Sequence, residues 1–314
     1  MKPQRTTQKG QQIVDLSEDE ARVYLEKILW PAGAVCPHCA GNDVYKMKGE
    51  TCRAGLHRCR PCNKQFTVTV GTIFEDSHVP LAKWIRAFHL MCSSKKGISA
   101  LQLQRNLGLG SYRTAWHMAH RVRLAMQCEP FTSLLKGIVE VDETYVGGKR
   151  TGCGWKAGMD NKVAVLSLVE RGGEKRSMVL PKVTAKNLRA AVTQHVEAGA
   201  AVHTDELLAY KNLKDTYQHE TVNHSAGEYV RNFKCGKQIT TNTVEGSFSL
   251  LKRGIVGAFH HVSKRHLPRY LAEFDYRWNE RKATDVDRTA KALKQTKGKR
   301  LSYKPLTKKS DKTS

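Results

Sequence analysis

The chain is poor in acidic residues relative to basic ones. It has 29 Asp and Glu against 53 Lys and Arg in 314 residues, for a net charge of +24 and a pI of about 9.8. It has no run of about eighteen apolar residues, the length a membrane helix needs, and its opening MKPQRTTQKGQQIVDLSEDEA has no apolar stretch of secretory type. These absences exclude a helical membrane protein and lead us to expect a soluble, cytoplasmic chain. With 40% apolar residues a real core can still form. So large an excess of cations predicts attraction to a polyanion, and nucleic acid is the first partner to consider. Disulfides are not expected in a cytosolic chain, so its nine cysteines point to another use.

Four of the cysteines have a telling spacing. Residues 36–62 read CPHCAGNDVYKMKGETCRAGLHRCRPC, with Cys36 and Cys39 as one Cys-x-x-Cys pair, Cys59 and Cys62 as the other, and 19 residues between. This matches a four-cysteine zinc site. Each pair is expected to form a tight knuckle with backbone N–H groups facing the sulfurs. Two such knuckles supply the tetrahedral set of a closed, structural Zn2+ site. Cys52, His38 and His57 lie inside the loop as less favoured substitutes. The following NKQFTVTVGTIF alternates like a closing strand. A ribbon this small cannot fold on apolar burial alone, so its stability should depend on the metal.

From Leu81 the period becomes helical: PLAKWIRAFHLMC places Leu81, Trp84, Ile85, Phe88 and Met91 three and four apart. In GISALQLQRNLGLGSYRTAWHMAHRVRLAM, Ile98, Leu101 and Leu107 are expected along one side of a short helix. Gly108 and Gly110 would form the turn, and Ser111 would cap a second helix. Polar and basic residues lead that second helix, among them Arg113 and Arg121, as suits a helix-turn-helix reader of the DNA major groove. Met118, Ala119, Val122 and Met126 read as core. A plain helical bundle would share the pattern.

After Lys136 three strands follow one another in KGIVEVDETYVGG, NKVAVLSLVERGG and KRSMVLPKV, most simply as an antiparallel meander. TAKNLRAAVTQHVEAG reads as a helix with Thr184 as N-cap and Gly199 as stop, and AAVHTDELLAY as a short strand ending on Asp205. YQHETVNHS suggests another strand, and NTVEGSFSLLKRGIVGAF a helix with Glu245 in its first turn. The order is that of a ribonuclease-H-like fold, in which the first and fourth strands are neighbours. Asp142 and Asp205 would then converge although 63 residues apart, with Glu245 completing the cluster. Three close carboxylates repel one another and take up protons. Divalent cations with oxygen preference, Mg2+ or Mn2+, relieve that conflict and suit displacement at phosphorus.

These blocks, VDETYVGGK, VHTDELLAY, VNHSAGEYV and TNTVEGSFSLLKRGIVGAFHHVSKRHLPRYLAEFDYRWNER, together with the ribbon, resemble bacterial insertion-sequence transposases of the DDE superfamily, in the branch with a zinc-ribbon head. The likeness spans roughly residues 20–285. It implies a DNA transposase that binds the terminal inverted repeats of its element, cuts at their 3′ ends and joins them to target DNA, as a dimer or higher oligomer at the nucleoid. It implies Asp142, Asp205 and Glu245 as the metal-binding acids, with Asn242 the competitor for the third place. Lys252, seven residues after Glu245 and on the same helix face, resembles the residue that holds the DNA end; Arg253 is second choice, and His224 and His260 are candidate phosphate contacts. Glu140 is expected to be a metal neighbour or a salt-bridge partner, Glu143 to pair with Lys or Arg, and Glu206 to be solvated. A DNA-binding regulator without catalysis and a nuclease without joining are the alternatives.

The expected organisation is multidomain α+β. A helical segment covers 1–30, the ribbon 31–76, the helix-turn-helix-like module 77–130, the ribonuclease-H-like catalytic domain with mixed sheet 134–281, and a basic, flexible tail 282–314.

Overall fold

A strand that is apolar at nearly every position must be covered on both faces, and VAVLSLVE, polar only at Ser167 and its last residue Glu170, is such a strand. In the computed structural model, which describes residues 13, 15–49, 52–128, 131, 133–148, 162–233, 236 and 238–307, it lies inside a five-stranded sheet. The chain divides into two compact units. One comprises the described residues up to Ser94, Ile98–Met126 and those from Lys282 onward; the other comprises Lys95–Gly97 and Gln127–Arg281.

In the first unit α1 (Glu18–Leu29) starts at a capping box, Ser17 with Glu20. The short strands β1 (Val44–Lys46), β2 (His57–Cys59) and β3 (Gln65–Phe66) form an antiparallel sheet, so only two residues of the expected closing strand join the ribbon sheet, and Thr72 further along it bridges to Lys297 instead. Then come α2 (Leu81–Ser93), α3 (Ala100–Leu107) and α4 (Tyr112–Met126). Trp84, Ile85, Phe88 and Met91 are buried along α2 as the period required. Gly108 ends α3 in the left-handed region at φ 56°, and Ser111 Oγ accepts from the Arg113 N–H at 3.2 Å to start α4. Of the residues expected along one side of α3, Leu107 is buried but Leu101 is 45% exposed, and Leu103 is buried beside Leu107 in its place.

The second unit carries β4 (Ile138–Val146), β5 (Val163–Glu170), β6 (Lys175–Leu180), α5 (Ala185–His195), β7 (Ala201–Thr204) and β8 (Gln218–Thr221). The sheet order is β6-β5-β4-β7-β8. β4, β5 and β6 form the antiparallel meander, while β7 runs parallel to β4, and β8 parallel to β7. This is the mixed sheet of a ribonuclease-H-like fold. The hairpin β9 (Val230–Asn232) and β10 (Gln238–Thr240) leads into α6 (Asn242–Gly254), a π-helical stretch (Ile255–Phe259) and α7 (Leu267–Asn279). One face of the sheet packs Val139, Val141, Leu166 and Leu168 against Leu188 and Val192 of α5. The other packs Val146, Val163 and Val165 against Val244, Phe248 and Leu251 of α6 and Leu271 and Phe274 of α7. Gly254 permits that closeness: a Cβ there would lie 2.4 Å from the Phe274 ring and 2.6 Å from the Lys96 carbonyl.

The segment after Lys282 differs from the flexible tail its charge suggested. Asp285–Lys294 is a helix, α8, with Thr284 as N-cap and Thr289, Ala292 and Leu293 buried within the first unit. Tyr303–Thr307 forms a short α9. Three inward positions three and four apart are enough to dock a helix, even where large apolar residues are few.

Candidate functional site

In the ribbon, backbone turns bring the two knuckles together. Cys36 N–H donates to the Gly41 carbonyl and Ala40 N–H to the Cys36 carbonyl, both at 2.9 Å. The Sγ atoms of Cys36 and Cys62 are 3.6 Å apart and those of Cys39 and Cys59 3.5 Å, and all four lie within 4.8 Å of one another. A tetrahedron with Zn–S bonds of about 2.3 Å needs roughly this spacing. Burial pushes the Cys36 thiol up, but the N–H groups of Cys39 and His38 outweigh it and bring it down to about 7. Those are the knuckle N–H groups the sequence predicted. Cys36 and Cys59 are buried beside Phe66, with Trp30 and Val44 packed against them. Soft sulfur donors, spacing and burial all fit structural zinc. Cys52 takes no part, its Sγ lying 3.7 Å from the Lys48 carbonyl; nor does His57, whose Nδ1 meets the Gly55 carbonyl at 3.1 Å.

The acids assemble from three elements of the second unit. The parallel register pairs Glu140 with His203, so its continuation by two residues sets Asp142 on β4 beside Asp205, just past the end of β7. Even-numbered residues of β4 face α6, whose first turn presents Glu245. Burial raises Asp142 first, Glu143 next, and then Asp205 and Glu245; together they outweigh the Glu143 N–H bond and bring its carboxyl to about 7. Asp205 is also raised, chiefly by burial and further by Glu206 and Glu245, against its bond from the Leu207 N–H and the pull of His224. Mutual repulsion of this kind is the signature of neighbouring carboxylates.

Each acid uses one oxygen. Asp142 Oδ1 accepts from the Glu143 N–H at 2.7 Å, and Asp205 Oδ1 from the Leu207 N–H at 3.1 Å. Glu245 Oε1 accepts from Thr241 Oγ1 at 2.8 Å and lies 3.2 Å from His224 Nε2. Among the described residues the second oxygen of each carries no hydrogen bond, so hard donors remain for a divalent cation. That donor set fits Mg2+ or Mn2+. Asn242, the rival third ligand, is exposed at the start of α6.

Neighbouring acids have partners that the sequence did not name. Glu143 faces the opposite side of β4 and accepts from the buried Tyr210 hydroxyl, not from a Lys or Arg. Glu206, expected to be merely solvated, accepts from Ser225 Oγ at 2.5 Å and from the N–H groups of His224 and Ser225 at 2.9 and 3.0 Å. It thereby anchors the turn that carries His224, and those bonds, Ser225's first, hold its carboxyl down to about 2. Glu140 is in a salt bridge, with Arg171 at 2.9 Å.

The DNA-contact candidates divide. His224 sits beside Glu245 and also meets Thr241 Oγ1 at 3.1 Å. Lys252 and Arg253 are exposed near the end of α6, and His260 is exposed at φ 58° after the π-helical stretch, with no bond to the three acids. Arg113 is exposed on α4, its guanidinium 4.1 Å from the centre of the Tyr303 ring. Arg121 is a correction. It is 6% exposed and donates to the carbonyls of Leu301 and Glu75 at 3.0 and 2.9 Å, so it fastens loops within the first unit and has no face to offer DNA.

Among the described residues no helix is long and apolar enough to cross a membrane. Residues 134–279 match the ISXO2-like transposase domain, and residues 16–65 the transposase zinc-ribbon domain. The chain is similar to a Halobacterium salinarum protein described as an uncharacterized protein in transposable element ISH50. The two are 29% identical over 279 residues, 83% of this chain and 91% of that one. A chain in the simian T-cell lymphotropic virus intasome bound to PP2A regulatory subunit B56 gamma is 14% identical with a TM-score of 0.28. That match covers 55% of this chain and 63% of the other, less than two thirds of its length, and is too slight to argue from.

Proposed function

We propose, for a chain whose residues 16–65 match a transposase zinc ribbon and whose residues 134–279 match an ISXO2-like transposase domain, that it is a DNA transposase acting by metal-dependent cleavage and strand transfer. The observation that supports the reading is that Asp142 and Asp205 stand on or beside neighbouring strands and Glu245 in the first turn of the helix packed on that face, each with a carboxylate oxygen to spare. When held by these three acids, a pair of Mg2+ or Mn2+ ions supplies activation of the attacking oxygen and stabilisation of the leaving one. The chain's own groups orient the rest. His224 and Thr241 hold one oxygen of Glu245 and leave the other without a hydrogen bond among the described residues. Lys252, seven residues after Glu245 and so on the same face of α6, would meet a phosphate of the DNA end.

In the first step water adds to phosphorus at the element's end and the P–O3′ bond breaks, which frees a 3′-hydroxyl. In the second that hydroxyl loses its proton, adds to a target phosphorus and expels a target 3′-oxygen. Neither step needs a Ser or Tyr nucleophile. The ribbon and the exposed N-terminal part of α4, including Arg113, would bind the inverted repeats, and the pairing of two ends calls for at least a dimer. The test is a labelled duplex bearing the inverted repeat, incubated with protein, Mg2+ and supercoiled plasmid. Label joined to plasmid supports the transposase. Cutting without joining would make the protein a nuclease, and specific binding alone a regulator.

A further inference from the structure

Two residues before each candidate acid stands a side chain that meets the others in the interior. Glu140 precedes Asp142 on β4, His203 precedes Asp205 on the strand register of β7, and Thr243 precedes Glu245 on α6. Glu140 and His203 are fully buried. Arg171, which follows β5, donates from Nε and Nη2 to Glu140 Oε1 at 3.1 and 2.9 Å, and from Nη2 to His203 Nδ1 at 3.4 Å. The same guanidinium donates to the carbonyls of Gln238 and Thr240, the strand that feeds α6. Glu140 also accepts from the N–H groups of Thr243 and Val244 at 2.8 and 3.1 Å and from Thr243 Oγ1 at 2.9 Å.

Two physical consequences follow. The first N–H groups of a helix have no intrahelical acceptor, and a carboxylate placed there satisfies them and is favoured by the helix dipole. Glu140 therefore fixes where α6 begins. Five donors also fill the roughly four lone-pair sites of one carboxylate, so Glu140 has no oxygen left over for a metal.

We propose that Glu140 and Arg171 are positioning residues that hold β4, β7 and α6 in register beneath the acids, and so set the metal affinity of Asp142, Asp205 and Glu245. The proposal rests on reading those three as metal ligands. Hydrogen-bond partners behind metal ligands typically change affinity by about 10–100-fold when lost.

The test measures Mn2+ binding to the zinc-loaded full chain by electron paramagnetic resonance of the free ion. The comparison covers the wild type, Glu140→Gln, Thr243→Val and Asp275→Asn. Asp275 is a second buried acid of the same unit, bonded to Ser177 and Lys175 on β6, two strands away from β4. Glu140→Gln should weaken Mn2+ by about 10–100-fold and Thr243→Val by roughly 3-fold. Zinc content, and metal-free binding of a DNA duplex, should not change. Asp275→Asn should lower the melting temperature without altering Mn2+ affinity. Wild-type Mn2+ affinity in both node variants would overturn the proposal, as would equal weakening by Asp275→Asn. If Glu140→Gln does not fold, Thr243→Val, which keeps the ion pair, decides. Unaltered Mn2+ binding in Asp142→Asn would show that the acids are not ligands and overturn both readings, whereas loss there with unaltered node variants overturns this one alone.

Discussion

The chain holds two candidate sets of metal ligands, four sulfurs and the three carboxylates proposed above, built on opposite plans. The four sulfurs of the ribbon come from two local knuckles and already lie within 4.8 Å of one another, with Cys36 and Cys59 buried. The three carboxylates come from β4, the end of β7 and α6 and are tied by one oxygen each, and Asp205 and Glu245 add to the burial that raises the Asp142 carboxyl. A closed set of soft donors suits an ion that stays and supports the fold. An open set of hard donors suits ions that share their coordination with substrate phosphates. On the proposed reading, the difference teaches where each metal's free energy would go, into folding at the ribbon and into chemistry at the acids.

The largest effect should come from the acids. Asp142→Asn should reduce cleavage of the end duplex by on the order of 10³-fold or more while zinc content stays the same, as read by product gel and metal analysis. Cys59→Ser with Cys62→Ser should do the reverse. One zinc per chain would be lost and specific end binding would weaken by roughly 10²-fold as it gives way to non-specific contact, measured by titration of labelled duplex. A ribbon that kept its zinc would remove the contrast altogether.

A third effect sharpens it through pH. The Asp142 carboxyl, raised to about 7 in the folded chain, binds a proton there that the unfolded chain has already lost. Its contribution to stability is therefore full below the ordinary aspartate range and lost as pH rises to 7. In zinc-loaded, magnesium-free protein, Asp142→Asn should raise stability by about 2 kcal/mol at pH 8 and by almost nothing near pH 4, read from denaturant curves. An acid site that costs stability while the zinc site supplies it is the comparison in thermodynamic form. The smallest effect belongs to Lys252→Ala, which should weaken end binding about equally for all sequences and lower the salt slope by about 1, with Arg253→Ala below it.

What was legible in the sequence was whatever depends on neighbours along the chain or on strand order. Cys36, Cys39, Cys59 and Cys62 announce themselves because a knuckle needs only two residues between its ligands. Asp142 and Asp205 could be paired across 63 residues because the order βββαβ makes β4 and β7 adjacent, and the structure sets them so. Partners fixed only by packing were not legible. Arg121 looked like a basic residue on a groove-reading helix, yet it bonds the Leu301 and Glu75 carbonyls, which lie far away in the chain. Glu143 required a partner, but nothing local marks it as the Tyr210 hydroxyl. The Glu140 ambiguity, metal neighbour or salt bridge, is resolved by Arg171 and the start of α6, and alternation alone could not have supplied either. The segment 285–294 was misjudged because counting large apolar residues overlooks a helix that docks through Thr289, Ala292 and Leu293.

The most direct test of the account is a change of donor at the acid site. A thiolate is a poor ligand for Mg2+ and a better one for Mn2+. Asp142→Cys, with Asp205→Cys and Glu245→Cys in parallel, should join no labelled ends to plasmid in Mg2+ and should recover measurable joining in Mn2+, with the zinc content of the wild type. Full activity of these variants in Mg2+, or an equal loss in both metals for all three, would contradict the claim that these acids hold the catalytic ions.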